Sequence, residues 1–382
     1  MSGYPIYLDY NATTPCDPQV VEAMLPFFST HFGNAASKSH AHGWYAEEAV
    51  VMAREDIASL IGASPNEIIF TSGATESINL AMRGLAEVQP SPHGHIITVA
   101  TEHKAVLDVC EHLRSKGMDV TVLPVNGAGH VDLDQLRDEI RPDTLMIAAM
   151  YANNETGLFH PIREISQISR EAGVLFFCDA NQAVGKIPVN ARSEGIDMMA
   201  FSAHKMYGPK GAGVLYIGKR DKKIDLAPQI FGGGHERKLR SGTLNVPGIV
   251  GMGKAALICR DRMADESVRL AGLRDRLRNS LLNIDGVRLN GDENNMLAHV
   301  ANLCFDINGG DRLLKMISRM VSVSNGSACS SVTQAPSHVL KAMGLTDMQA
   351  LSSIRFSLGR FTSEAEIDIV TSAVCDAIAR LR

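Results

Sequence analysis

Between residues 67 and 217 the chain alternates two kinds of hydrophobic pattern. Short, nearly continuous apolar runs occupy 67–71, 95–99, 119–123, 145–150, 174–178, 198–201 and 213–217. They are too short for helices, rich in Val, Ile, Leu, Met and Phe, and bounded by polar or glycine-bearing turns, which predicts seven buried strands. The segments 76–87, 105–116, 133–140 and 162–172 instead repeat apolar residues at helical spacing. A further helical pattern covers 46–61 and stops at Gly62. Strands separated by helices need crossover connections. The expected class is therefore α/β, with a mostly parallel sheet covered on both faces and ligands at the carboxyl ends of its strands.

Near Val246 the texture changes. A long helical pattern runs over 247–282, with room for one break. Short strands follow at 287–289, 300–306 and 354–357, and helices at 311–320, 338–342 and 364–381. This reads as a smaller α+β unit, with which Ile6-Tyr7-Leu8-Asp9 is expected to pack. The expected division is 14–258 for the large domain, and 1–13 with 259–382 for the small one. A polar loop over 322–336, rich in Ser, Asn and Thr, interrupts the second unit and carries Cys329.

Composition narrows the classes without choosing among them. The 382 residues are 45% hydrophobic and 21% charged, with a formal net charge of −5, which argues against a nucleic-acid-binding surface. No apolar run reaches 18 residues, and Met1-Ser2-Gly3-Tyr4-Pro5 lacks a charged-then-apolar layout, so neither a membrane span nor a signal peptide is expected. Seven cysteines without a Cys-x-x-Cys pair do not form a disulfide or zinc framework, and a reducing cytoplasm is the natural setting. His40 and His42 lack a carboxylate at metal-ligand spacing, so no metal is expected. Lys219, Arg220, Lys222 and Lys223 read as a solvated turn, with a partner patch as the alternative.

The chemistry concentrates at strand ends. Lys205 lies in Ser202-Ala203-His204-Lys205, 26 residues after Asp179, which closes a buried apolar run. A lysine in a small polar turn can form a Schiff base with an aldehyde cofactor, and a buried carboxylate can pair with a pyridinium nitrogen. Thr71-Ser72-Gly73-Ala74-Thr75-Glu76-Ser77 ends a strand and opens a helix, a setting for an anion or simply for a helix cap. Ser202 and His204 add two donors. The glycine-rich 208–213 segment lacks a strand–loop–helix context and reads as a turn. His103 follows another strand and could stack on a ring or move protons, or be a plain loop residue. Asn154, in an Asn-rich turn, could bind a carboxylate or a ring hydroxyl, and Gln182 could share the hydroxyl role. Cys110, Cys178, Cys259, Cys304 and Cys375 fall in apolar patterns and look inert; Cys16 looks more exposed. Cys329, among small polar neighbours, looks accessible and could act as a nucleophile. Arg355 suits a bidentate clamp on an α-carboxylate, with a structural salt bridge as the competing role.

Taken together, these residues resemble the cysteine desulfurases, within the aspartate-aminotransferase-like, fold type I enzymes that use pyridoxal 5'-phosphate. The resemblance rests on Tyr7–Pro15, Thr71–Ser77, Thr101–Lys104, Asn153–Gly157, Asp179–Gln182 and Ser202–Lys205. It continues through Gly232-Gly233-Gly234-His235-Glu236-Arg237, Arg240-Ser241-Gly242-Thr243, Ser324–Cys329 and Arg355–Arg360, and so covers nearly the whole chain. The serine-rich loop around Cys329 is similar to the group I branch. The resemblance implies that Lys205 holds the cofactor, Asp179 pairs with its ring nitrogen, Gln182 meets its hydroxyl and His103 stacks on its ring. It implies phosphate contacts from Thr75, Ser202 and His204, and from Thr243 to the neighbouring subunit's phosphate, hence a homodimer with shared sites. Asn154 and Arg355 would hold the substrate carboxylate. Cys329 would take sulfur from L-cysteine as a persulfide, leaving alanine, and pass it to an acceptor protein in iron–sulfur cluster assembly or another thiolation pathway.

Two departures from the family pattern stand out. Asn325 occupies a position that usually holds serine, and the chain ends at Arg382, where many relatives carry a further tail that docks a scaffold. Rival readings are another fold type I enzyme, such as a selenocysteine lyase or aminotransferase, and a catalytically idle sulfur-transfer scaffold. A nicotinamide-dependent dehydrogenase rests only on glycine-rich loops.

Overall fold

A computed structural model describes residues 5–89, 93–219, 223–325 and 335–381. In chain order, β1 (Ile6–Tyr7) leads through α1 (Pro18–Met24) and α2 (Pro26–Ser29) to α3 (Ala41–Leu60). Then come β2 (Ile68–Thr71), α4 (Ala74–Glu87), β3 (His95–Val99), α5 (Lys104–Ser115), β4 (Asp119–Leu123), α6 (Leu133–Asp138) and β5 (Thr144–Ala148). They are followed by α7 (Ile162–Glu171), β6 (Leu175–Asp179), β7 (Met198–Ser202) and β8 (Gly213–Ile217). The remainder holds α8 (Val246–Leu282), β9 (Val287–Leu289), β10 (Val300–Phe305), α9 (Gly310–Ile317), β11 (Val321–Ser322), α10 (His338–Ala342), α11 (Asp347–Leu351), β12 (Ser353–Ser357) and α12 (Glu364–Leu381).

The seven apolar runs form one seven-stranded sheet in the order β2-β8-β7-β6-β5-β3-β4. Its β7-β6-β5-β3-β4 portion is parallel, and only β8 runs antiparallel to its neighbours β7 and β2. Burial on both faces explains why these strands read as continuous apolar runs. Ile97, Ile147, Phe176 and Met199 pack into one core, while Ile96, Met146, Phe177 and Met198 pack into another on the opposite face.

A third apolar cluster joins Leu270, Leu273 and Leu277 of α8 to Leu303 and Phe305 of β10, Phe356 of β12 and Val370 and Val374 of α12. Leu8 belongs to it, and β1 pairs in parallel with β11, so the first residues do pack with the C-terminal elements. The three-stranded sheet there runs β12-β10-β9. The helix α8 is unbroken over 37 residues. A Cβ on Gly253 would stand 2.7 Å from the Cα of Ala53, so glycine is what lets α8 lie directly against α3. Arg360 ties the layers together: it pairs with Asp17 at 2.7 Å and with Glu266 of α8, and lies 4.1 Å above the Tyr207 ring. No described helix is long and apolar enough to cross a membrane.

One buried ring predicts a pH effect on stability. His160 is 4% exposed, and neither ring nitrogen has a hydrogen-bond partner among the described residues. Burial, reinforced by His130, pushes its pKa down to about 4, whereas an unfolded histidine titrates near ~6.5. Between those values the unfolded chain binds more protons, so stability is complete above pH ~6.5 and is lost as pH falls toward 4, by about 2 kcal/mol at pH 5. A His160→Leu variant should lose less melting temperature between pH 7 and pH 5 than the parent does. Equal losses in thermal melts would refute this assignment.

Candidate active site

The carboxyl ends of β5, β6 and β7 and the start of α4 surround a cavity of about 450 Å³. Lys205, Asp179, Gln182, Thr75, Ser202, His204, His103, Asn154 and Arg355 all line it. Nine of the residues singled out from sequence therefore meet in one place. Thr243 does not line the cavity and is exposed. Cys329 lies outside the described residues.

One wall is built to receive an anion. The register pairs Ser202 with Gly213, and a Cβ on Gly213 would come within 2.4 Å of the Cα of Gly73. That missing Cβ lets the first turn of α4 sit against β7 and β8. There Ser202 Oγ accepts the Ala74 amide at 2.7 Å, and Thr75 follows in the same turn. Helix-start amides and hydroxyls favour negative charge. His204 stands beside them, its Nδ1 3.1 Å from Thr13 Oγ1. Burial, then the charges of Lys205, Lys210 and Lys186, push its pKa down to about 4, so near neutral pH the ring is uncharged.

Asp179, Gln182 and His103 line the middle of the cavity. Asp179 ends β6 and is 5% exposed. Its Oδ1 accepts both the backbone amide of Asn181 at 3.0 Å and its side-chain amide at 2.8 Å. Just behind it the buried carboxyl of Glu102 is raised well above the usual carboxylate range, by burial first and by Asp179 second. Its Oε1 accepts the Met150 amide, while Oε2 has no partner among the described residues. A neutral Glu102 spares Asp179 a second buried negative charge. Gln182 Nε2 donates to the Asn11 carbonyl at 3.0 Å, and Lys186 Nζ donates to its Oε1. His103 caps α5, with Nδ1 accepting the Ala105 amide at 3.1 Å.

Lys205 enters on a short 3₁₀ turn directly after β7. Its Nζ donates to the carbonyls of Asn11 at 2.6 Å and Ala12 at 2.7 Å. Nothing in the sequence marks those carbonyls as site groups, although they lie in the Tyr7–Pro15 stretch that carries part of the family resemblance.

Arg355 makes the structural salt bridge that was one of its two readings, and it also lines the cavity. It is 2% exposed, with Nη2 donating to Asp9 Oδ1 at 2.6 Å and Nη1 to the Asn154 carbonyl at 2.9 Å. Its Nε is buried without a partner among the described residues, and the residue lines the cavity. An orphaned guanidinium N–H is costly unless something accepts from it. Asn154 contributes its backbone carbonyl to Arg355 and to Asn11 Nδ2. Lysine in place of Arg355 would keep a charge but lose the fork. Arg355→Lys should raise KM for an amino-acid substrate by about tenfold or more, and lower kcat less. A KM unchanged within about twofold would remove Arg355 from carboxylate binding.

Several lining residues were missed from sequence. Glu155 and Ser337 meet with Ser337 Oγ donating to Glu155 Oε2 at 2.5 Å, and burial raises the Glu155 carboxyl above its ordinary range. Asn181 and His338 also line the cavity. No local pattern marks them, because their roles depend on segments far away in the chain.

The thiols sort by burial. Cys110, Cys178, Cys259 and Cys304 are buried as expected, but Cys375 is only partly so, and Cys16 is half-covered rather than exposed. Burial pushes Cys110 up to about 12 and Cys259 up to about 11, and it raises Cys16, Cys178 and Cys304 as well.

The segment bearing the Gly232–Arg237 motif lies at the surface in a strained form. Glu236, Arg237 and Lys238 have φ of 44°, 57° and 68°, in the left-handed region. Glu236 is clamped there by Arg54 at 2.7 Å and by the Phe70 amide, and Arg240 reaches Glu76 of α4 at 2.8 Å. Phe231 beside it is 81% exposed.

Comparison with known proteins agrees with this architecture. A cysteine desulfurase IscS from Anaeromyxobacter dehalogenans is 51% identical over 379 residues, spanning 99% of this chain and 93% of that protein. A solved NifS-like protein superposes with a TM-score of 0.91 at 36% identity, covering 98% of this chain and all of the other. A solved structure described as SspA in complex with cysteine gives a TM-score of 0.84 at 37% identity, over 94% and 100% of the two chains. The family model for aminotransferase class-V matches residues 6–370, and the chain belongs to that family.

Proposed function

We propose that the protein is a cysteine desulfurase that uses pyridoxal 5'-phosphate to move sulfur from L-cysteine to Cys329, leaving L-alanine. The observation that carries the reading is the convergence of Lys205, Asp179 and Arg355 on one cavity beside the start of α4. Near full-length identity of about half to proteins named cysteine desulfurase IscS supports it.

The donor set fits the cofactor. Thr75, Ser202 and His204 would hold its phosphate, Asp179 its ring nitrogen, Gln182 its hydroxyl and His103 its ring face, while Lys205 would bond its aldehyde carbon. When bound, the cofactor supplies an electron sink for the carbon that loses its proton. Arg355, with its unused Nε, and Asn154 would orient the substrate carboxylate. Lys205 Nζ, held against two carbonyls, would take the α-proton. The Cys329 thiolate would then form an S–S bond to the substrate sulfur. The C–S bond breaks, and its electron pair leaves with carbon.

In this reading the chain divides into a large domain at 14–258 and a small one at 1–13 and 259–382. It works as a cytoplasmic homodimer in which Thr243 reaches the phosphate site of the second subunit. The exposure of Thr243 and of Phe28, Phe32, Trp44, Tyr45 and Phe231 supports such pairing. The sulfur then passes to an acceptor protein, with iron–sulfur cluster assembly as the foremost route.

Peptide mass spectrometry after incubation with L-cysteine tests the reading. A gain of one sulfur atom on the peptide holding Cys329, with alanine formed in step, is expected. Alanine without that gain, or pyruvate and ammonia instead, would contradict it.

A further inference from the structure

Just past the end of β6, one side chain has a partner for its amide nitrogen and none for its oxygen. Asn181 lines the cavity together with Asp179. Its Nδ2 donates to Asp179 Oδ1 at 2.8 Å, and its backbone N–H donates to the same oxygen at 3.0 Å. Its own Oδ1 is buried and has no partner among the described residues. An amide's nitrogen and oxygen are nearly alike in shape, so the hydrogen bonds decide which is which. Turned over, this amide would set an oxygen against the carboxylate, acceptor against acceptor. The orientation therefore serves Asp179 and leaves the acceptor of Asn181 unserved. A buried orphan of that kind is unfavourable and needs a reason.

The backbone around the pair is already fixed. Asp179 stands opposite Ala200 in the β6–β7 register, its carbonyl accepts the Tyr151 amide at 2.9 Å, and the Ala180 amide donates to the Ala200 carbonyl at 2.9 Å. Ala180 and Ala183 are fully buried, and the Ala183 amide closes a turn onto the Ala180 carbonyl at 3.0 Å. Strand pairing cannot fix the plane of the carboxylate, because χ2 of aspartate is a broad, soft torsion. The Asn181 backbone amide alone makes the ordinary turn of an Asp side chain onto the chain two residues on. The side-chain amide adds a second donor to that oxygen, so turning the plane breaks two bonds instead of one. Among the described residues no other side chain donates to the Asp179 carboxylate, and its Oδ2 takes no hydrogen bond. Gln182, next in the chain, is committed to the Asn11 carbonyl and to Lys186.

We infer that Asn181 is a positioning residue for the cofactor ring: its side-chain amide holds Oδ1 of Asp179, which leaves Oδ2 to meet the ring nitrogen. This rests on the pyridoxal 5'-phosphate reading. Asn181 makes and breaks no covalent bond, and it acts only through Asp179.

The test compares two ligands that differ at the ring nitrogen alone. Parent and Asn181→Leu, each stripped of cofactor, are titrated with pyridoxal 5'-phosphate and with its 1-deaza analogue, in which a C–H group replaces that nitrogen. Leucine keeps the approximate shape of asparagine and removes the donor. The aldehyde and the phosphate are the same in both ligands, so contacts to Lys205 and to the phosphate wall cancel in the comparison. Asn181→Leu should bind pyridoxal 5'-phosphate about tenfold more weakly than the parent, as expected for a charge-assisted hydrogen bond partly replaced by water. It should bind the analogue no more weakly than the parent does, within about twofold. Asn181→Ala should show the same contrast, and it carries the comparison if the leucine variant does not fold. Equal weakening toward both ligands would mark a merely structural residue and overturn the inference, as would no weakening toward either. A parent that does not tell the two ligands apart would overturn it too, since no carboxylate would then be acting on the ring nitrogen. A parent that binds neither ligand would overturn the cofactor reading beneath it.

Discussion

Lys205→Ala should lower alanine formation from L-cysteine by about 10³-fold or more, because it removes both the covalent anchor and the base for the α-proton. The loss should be chemical rather than structural. Lys205 Nζ donates to the Asn11 and Ala12 carbonyls, and the Asn11 carbonyl still has Gln182 Nε2 when the amine is gone. A bond from a charged donor is worth about 1.5–3 kcal/mol, but in a site open to a cavity water can take the amine's place at both carbonyls and recover most of it. The melting temperature of the cofactor-free variant should therefore stay close to the parent's. The neighbouring amine cannot substitute. Lys186 is partly buried, its pKa lies well below the usual lysine range through desolvation and then through Lys205 and Arg355, and it is committed to Gln182. A Lys205→Ala protein with more than about a tenth of parental turnover would remove this lysine from the reaction.

Cys329→Ala should abolish persulfide formation and cut sulfide release by about 10³-fold or more, while cofactor binding persists. The other six cysteines cannot take its place. At neutral pH a thiol with a pKa near 12 is ionised to only about one part in 10⁵, and one near 11 to about one part in 10⁴. Cys110 and Cys259 are in that range, and Cys178, Cys304 and Cys16 are raised by burial too. Cys375 lies on α12, packed against the third apolar cluster rather than the cavity. None offers a second nucleophile. Persulfide sulfur found on any of these cysteines in the Cys329→Ala protein would contradict the assignment.

The parts of the fold that were legible in sequence are those determined locally. Doubly buried strands must be apolar on both faces, so β2 to β8 stood out, with boundaries within two residues of the observed ones. The start of α3 was harder. The structure begins it at Ala41, capped by His40, while the periodic pattern begins at 46, because the first turn exposes Trp44 and Tyr45. The allowance for a break in α8 also did not materialise, since Gly253 serves packing against α3, Gly251 sits beside Met24 of α1, and no glycine interrupts the helix.

The same division holds at the site. Lys205, Asp179, Ser202 and Thr75 follow strands or open helices, so strand order alone brings them together. The Asn11 and Ala12 carbonyls meet Lys205 across 194 and 193 positions, and His338 meets Glu102 across 236. Contacts at that separation leave no spacing to read. The charge state of Glu102 was equally hidden, because burial and the proximity of Asp179 decide it.

The most direct measurement is to load the protein with pyridoxal 5'-phosphate, reduce it with borohydride and map the modified peptide. The account requires one stable adduct per chain, on Lys205. An adduct on Lys104 or Lys186, or none at all in a folded protein, would contradict it.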